Sequence, residues 1–117
     1  MNRKELISKY KQIIQPMGIF QIRNMKNGKL FLGSAKDLRG IINSNGFQLR
    51  NGLHRNKDLQ KDFTEIGEEG FAFEIVDSLQ PGEDASYNCT AELKTLEAMW
   101  LEKLQPYDER GYNSRPR

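Results

Sequence analysis

The sequence predicts a small α/β domain, on three observations. Apolar residues recur at helical spacing in four segments. Between these segments lie three short runs rich in β-branched and aromatic residues, of the kind that form strands. The dipeptide Asn27-Gly28 separates the first two runs and is a strong short-range hairpin signal. At 117 residues the chain is one domain in length, and it hides roughly two thirds of its unfolded surface on folding. Neither disulfides nor structural metal are needed to hold it together.

Residues 2–15 place Leu6, Ile7, Tyr10, Ile13 and Ile14 on one helical face, with Lys4, Lys9 and Lys11 outside it, and Pro16 stops this basic helix. Gly18-Ile-Phe-Gln-Ile-Arg23 alternates as a strand and Lys29-Leu-Phe-Leu32 is a second apolar run; across the Asn27-Gly28 turn the two pair antiparallel. Ser34-Ala-Lys-Asp37 matches a capping box, and the helix it opens carries Leu38, Ile41, Ile42, Asn45 and Leu49 on one face. Asn51-Gly52 ends that helix. Residues 57–66 form a shorter helix with Leu59, Phe63 and Ile66 inward, closed by Gly67. Phe71-Ala-Phe-Glu-Ile-Val76 is a third strand. A loop over 80–88 leads to a last helix near 90–104, which Pro106 follows.

That last helix carries an anomaly. Leu93, Leu96, Trp100, Leu101 and Leu104 make an apolar stripe, and at 100° per residue Glu97 falls near its middle. A carboxylate on a core face needs a donor or a metal, because stripping its water costs several kcal/mol. Two readings stand at this point: a metal-binding or acid/base carboxylate in a cleft, and a buried hydrogen-bonded glutamate.

The net charge of +2 hides an asymmetry. Residues 1–61 hold 13 Lys/Arg and 3 Asp/Glu, whereas residues 62–117 hold 5 and 13. A basic half points to an anionic partner, most simply a phosphate backbone, unless the fold interleaves the halves and neutralises them. The single cysteine, Cys89, excludes an internal disulfide and a Cys-based zinc site. The charged N-terminus lacks a signal-peptide core, and no stretch approaches the ~18 apolar residues of a membrane span. A reducing, cytoplasmic setting and no membrane partner are expected.

Taken in order, the pieces resemble the GIY-YIG endonuclease superfamily, which includes phage homing endonucleases and the N-terminal nuclease domain of the excision-repair incision subunit. Gly18-Ile-Phe20 stands at its first motif and Leu32-Gly33 in its second. Gly33-Ser-Ala-Lys-Asp37, Leu53-His54, Leu59-Gln60, Phe71-Ala-Phe-Glu-Ile75, Glu97-Ala-Met-Trp100 and Gly111-Tyr-Asn113 follow in the family's order. The resemblance covers roughly residues 17–113, leaving residues 1–16 as an added N-terminal helix and 114–117 as a tail. It implies an α+β fold, a small three-stranded antiparallel sheet flanked by helices.

The resemblance also implies phosphodiester hydrolysis with one divalent cation, Mg²⁺ or Mn²⁺. The family's metal glutamate falls on Glu97, its loop histidine on His54 and its late asparagine on Asn113. Its two tyrosines fall on Phe20 and Phe31, its phosphate-binding arginine on Ile41, and its helix histidine on Asn45. Four chemical positions therefore carry apolar or neutral side chains. General acid/base groups contribute ~10²–10⁴-fold and a cation on a transferring phosphoryl group up to ~10³–10⁵-fold. The expectation is a catalytically degraded nuclease fold that binds nucleic acid through Lys4, Lys9, Lys11, Lys26, Lys29 and Lys36. An active divalent-metal endonuclease with rearranged residues and a protein-interaction module are the alternatives.

Overall fold

The computed structural model describes residues 17–79 and 90–115. The predicted helix over 2–15, with Lys4, Lys9 and Lys11, lies outside the described residues, as do the 80–88 loop and Cys89. Strand β1 (Met17–Asn24) is followed by β2 (Leu30–Ala35), α1 (Leu38–Arg50), α2 (Lys57–Ile66), β3 (Phe71–Leu79) and α3 (Thr90–Leu104). Short 3₁₀ turns occupy Glu68–Gly70 and Asp108–Arg110. The strands form one antiparallel sheet in the order β2-β1-β3, with β1 central. The expected fold is the observed one.

The β1–β2 turn works as its sequence suggests. Gly28 adopts a φ of +78°, which a side chain disfavours, and the Asn27 side chain accepts the Lys29 N–H at 2.9 Å. The hairpin puts Phe20 opposite Gly33 and Ile22 opposite Phe31. Gly33 is needed there: a Cβ would sit 2.7 Å from the Phe20 ring, so the aromatic fills the space a side chain would take. Phe20, Ile22 and Phe31 then share a core with Leu38 and Leu49 of α1, Leu59 and Phe63 of α2, Phe71 and Tyr112. On α1 and α2 the faces read from periodicity are the faces that pack.

Three details differ from expectation. Ser34 remains in β2, and Asp37 alone caps α1 by accepting the Gly40 N–H at 3.0 Å. The Ser-x-x-Asp spacing fits a capping box, but the strand claims its first member. Strand β3 runs three residues past Val76, because Asp77 and Leu79 find partners in Ile19 and Met17 beyond an irregularity at Ile19/Phe20. On α3 the apolar stripe is only partly covered: Leu93 is buried, and Leu96, Trp100, Leu101 and Leu104 are half-buried. Trp100 donates its indole N–H to Asp77 at 2.9 Å, tying α3 to the end of β3.

The basic and acidic halves do interleave in part. Of the three ion pairs among the described residues, Arg23–Glu74 and Arg50–Glu68 join one half to the other. Both are exposed and contribute little to stability. No helix among the described residues is long and apolar enough to cross a membrane.

Candidate functional site

A surface cavity of about 450 Å³ opens where the β1–β2 hairpin, α1, the start of α2, α3 and the C-terminal segment meet. Phe20, Phe31 and Ile41 form its apolar side, and Arg55, Glu97 and Asn113 bring in polar groups. Ser34, Asn56 and Ser114 complete the polar lining. Five of the seven positions singled out in the sequence thus converge on one cavity, from residues 20 to 113.

Packing supplies the apolar side. Phe20 and Phe31 are 3% and 7% exposed, with ring centroids 6.3 Å apart and the rings tilted by 56°. Phe31 also meets the His54 ring edge-on at 5.4 Å. Ile41, half-buried on α1, packs against the same core.

His54 and Asn45, the other two positions, bond to each other behind Phe31. His54 is buried and does not line the cavity. Its Nδ1 accepts the Asn56 backbone N–H at 3.0 Å, so the ring proton resides on Nε2 and is donated to Asn45 Oδ1. The Asn45 amide is oriented by its own N–H bond to the Ile41 carbonyl at 2.7 Å. Both ring nitrogens are therefore engaged. Burial, and secondarily the charge of Arg55, hold the imidazole below its ordinary pKa of 6.5, which favours the neutral ring.

Asn113 acts as a clamp. Its side chain accepts the Leu32 N–H at 2.9 Å and donates to the Leu32 carbonyl at 2.8 Å, continuing the β2 edge with an amide in place of a strand. The adjacent Tyr112 donates its hydroxyl to Asp62 at 2.7 Å and accepts from the fully buried Asn24 at 3.0 Å. Burial, opposed by the Asn24 bond and reinforced by Asp62, pushes its phenol up to about 12. The Tyr112 carbonyl takes the Asn56 side-chain N–H at 2.7 Å. This segment thus fixes both the β2 edge and the start of α2.

Glu97 is half-buried, faces the cavity and makes no hydrogen bond or ion pair with any described residue. Of the two readings of the α3 stripe, the cleft carboxylate is the one that fits. Arg55 is exposed, lines the same cavity and likewise has no carboxylate partner among the described residues. It is the one cavity residue of obvious chemical weight that the sequence did not single out. The expected lysines do not cluster: Lys26 and Lys29 sit at the hairpin tip, whereas Lys36 follows the far end of β2, about 20 Å away at strand rise. Lys29 leans over the Tyr112 ring at 5.6 Å.

No protein-family model matches the sequence, and no curated protein does either. Two solved structures do match. The catalytic domain of the homing endonuclease I-TevI aligns with a TM-score of 0.68 at 27% identity, over 86% of this chain and 99% of that one. The catalytic domain of the intron endonuclease I-TevI in a mutant form aligns with a TM-score of 0.68 at 26% identity, over 85% and 93%. The chain has the GIY-YIG catalytic-domain fold.

The positions that the sequence resemblance picks out separate in space. Phe20, Phe31 and Ile41, where it expects two tyrosines and an arginine, form the apolar side, while Glu97 and Asn113, where it expects a glutamate and an asparagine, face it. Gly18 answers a backbone need: with φ of +153°, a Cβ there would collide with the Asp77 carbonyl. A divalent cation fits what the cavity offers. No group of three metal-ligating side chains occurs among the described residues, but Mg²⁺ is commonly held by one or two carboxylates, water and substrate phosphate. A single unpartnered carboxylate facing a polar cavity meets that need.

Proposed function

We propose that this nuclease-fold domain binds nucleic acid and has lost efficient phosphodiester cleavage. One observation carries the reading: the side of the cavity where two hydroxyls and a guanidinium are expected is closed by Phe20, Phe31 and Ile41 packed into the core. None of these can move a proton or meet a phosphoryl oxygen. His54 offers no free lone pair, since Nδ1 accepts from Asn56 and Nε2 carries the proton toward Asn45. Asn113 spends both amide ends on Leu32. Glu97 would hold one Mg²⁺ or Mn²⁺, whose chemistry when bound is to neutralise charge on phosphoryl oxygens. With Glu97 committed to the cation, the cavity offers no further side chain among the described residues to take a proton from water.

Binding is assigned to the basic half, through Lys26, Lys29 and Lys36 together with Lys4, Lys9 and Lys11. Contacts of this kind release counterions, giving a log–log salt slope of about −0.9 per neutralised duplex phosphate. Fluorescence anisotropy with a labelled DNA duplex tests this. Lys26→Glu, Lys29→Glu and Lys36→Glu together should weaken binding and flatten the slope, whereas Glu97→Ala should leave it unchanged or strengthen it. Salt-insensitive binding, or none at ~50 mM salt, would overturn the assignment and favour a protein-interaction module.

The second reading, an endonuclease with rearranged residues, draws on the presence of Arg55 beside Glu97 in one cavity. With Glu97 engaged by the metal, Arg55 and the cation would supply charge stabilisation and no side chain would take the proton, so this reading predicts slow turnover that rises with pH as hydroxide replaces the missing base.

A further inference from the structure

Among the described residues that line the cavity, Arg55 is the one cation, and it enters from the turn before α2. We propose that Arg55 is a phosphodiester-binding residue, its guanidinium holding the non-bridging oxygens of one nucleic-acid phosphate in the cavity opposite Glu97. The proposal rests on the nucleic-acid reading above and names the residue that holds substrate at this site.

Three observations support it. The first is the free state of the side chain. Arg23, Arg50 and Arg115 each have a carboxylate within 3.0 Å, while Arg55 lines a cavity shared with Glu97 and pairs with nothing among the described residues. An arginine that avoids a carboxylate in its own cavity keeps all five N–H donors for a ligand, and their planar fork matches phosphate bidentately.

The second is the rigidity of its mounting. The His54 N–H donates to Gln60 Oε1 at 3.0 Å, and the Asn56 N–H closes back onto His54 Nδ1. Asn56 also caps α2 by accepting the Leu59 N–H at 3.0 Å and donates its amide to Tyr112. Arg55 is the residue enclosed by this short turn, so its Cα is fixed on both sides while its side chain stays in solvent. The buried His54–Asn45 pair thus supports a cation's backbone. The third is the cavity itself, whose size lies within the ~300–1,000 Å³ of small-ligand sites. The mounting and the cavity set Arg55 apart from an ordinary solvated arginine. Arg39, exposed on α1, without a carboxylate partner among the described residues and outside this cavity, is such an arginine and serves as the control.

The test uses the full chain and two probes. The first is the thymidine dinucleotide TpT with Mg²⁺, followed by the NMR shift of the Arg55 Nε–H; inorganic phosphate is titrated alongside. The second is duplex binding across a salt series for wild type, Arg55→Gln, Arg55→Lys and Arg39→Gln, with thermal unfolding to verify folding. Expected are a saturable Arg55 shift with TpT that phosphate reproduces only weakly, and about tenfold weaker duplex binding for Arg55→Gln. The salt slope should flatten by about 0.9. Arg55→Lys should recover part of the affinity, and Arg39→Gln should behave as wild type. Duplex binding with Arg55→Gln indistinguishable from Arg39→Gln, and no Arg55 shift, would overturn the site while the nucleic-acid reading stands. A clear TpT shift without duplex binding supports the site and overturns that reading. Silence on both probes overturns both.

Discussion

Along one side of the cavity, Phe20 and Phe31 are held by packing: they touch each other, the glycine opposite and the edge of His54. Along the other, Asn56 and Asn113 are held by hydrogen bonds running from β2 through the C-terminal segment to α2, and Arg55 sits in the turn between the bonded His54 and Asn56. The proposed loss of cleavage fits this contrast. A Phe where a Tyr is expected lacks the hydroxyl and keeps the ring, so the fold would be spared while proton transfer would be lost. An Ile where an Arg is expected gives a core contact in place of a charge. On the polar side Asn56 and Asn113 serve the backbone, a role independent of cleavage.

The largest effect should come from rebuilding the packed side. Phe20→Tyr, Phe31→Tyr, Ile41→Arg and Asn45→His together should raise Mg²⁺-dependent cleavage of supercoiled DNA by at least about 10²-fold. No gain in a folded quadruple variant would mean that the backbone has also departed from the active arrangement. Truncation of the same side reads stability instead. Phe31→Ala removes contacts to Phe20 and His54 and should cost ~3–5 kcal/mol in chemical denaturation, and a cost under ~1 kcal/mol would show that the wall is not core.

Smaller effects come from the polar side and appear with pH. The His54 pKa is held below 6.5 in the fold, so the unfolded chain takes up a proton first on acidification. The stability from this neutral ring is complete above pH 6.5 and is lost as pH falls through the folded value. His54→Gln should flatten that acid limb of the stability profile. The Tyr112 phenol shifts the other way, from 10.0 to about 12, so its contribution is complete below pH 10 and disappears between 10 and 12. A Tyr112→Phe variant that kept an unchanged alkaline limb would refute this assignment.

Much of this arrangement was legible in the sequence where one local rule governs. Helix α2 occupies the predicted 57–66, because its apolar spacing, its Asn56 cap and Gly67 all agree. Glu97 stood out because a carboxylate interrupts an apolar stripe, and the cavity explains the interruption. The rest depended on partners distant in sequence. Asn113 bonds to a strand 81 positions away, a clamp that spacing does not encode. His54 lies in a loop, where side chains are usually exposed, yet its partner Asn45 on α1 draws it inside. Arg55 was hidden for the plainest reason: a lone arginine in a basic half looks like any other, and only its place between two pinned residues sets it apart. A usable signal did exist, since it lies between a family histidine position and a helix cap.

The central claim is that binding survives where cleavage does not, and one measurement tests it most directly. The protein is incubated with branched and linear duplex DNA plus Mg²⁺ or Mn²⁺, and bound and cut fractions are scored in the same reactions. The account predicts salt-dependent binding in the micromolar range, with cutting absent or in trace amounts and binding unaltered by Glu97→Gln. Multiple-turnover cleavage that Glu97→Gln abolishes would contradict it, and would show that the polar side alone sustains the reaction.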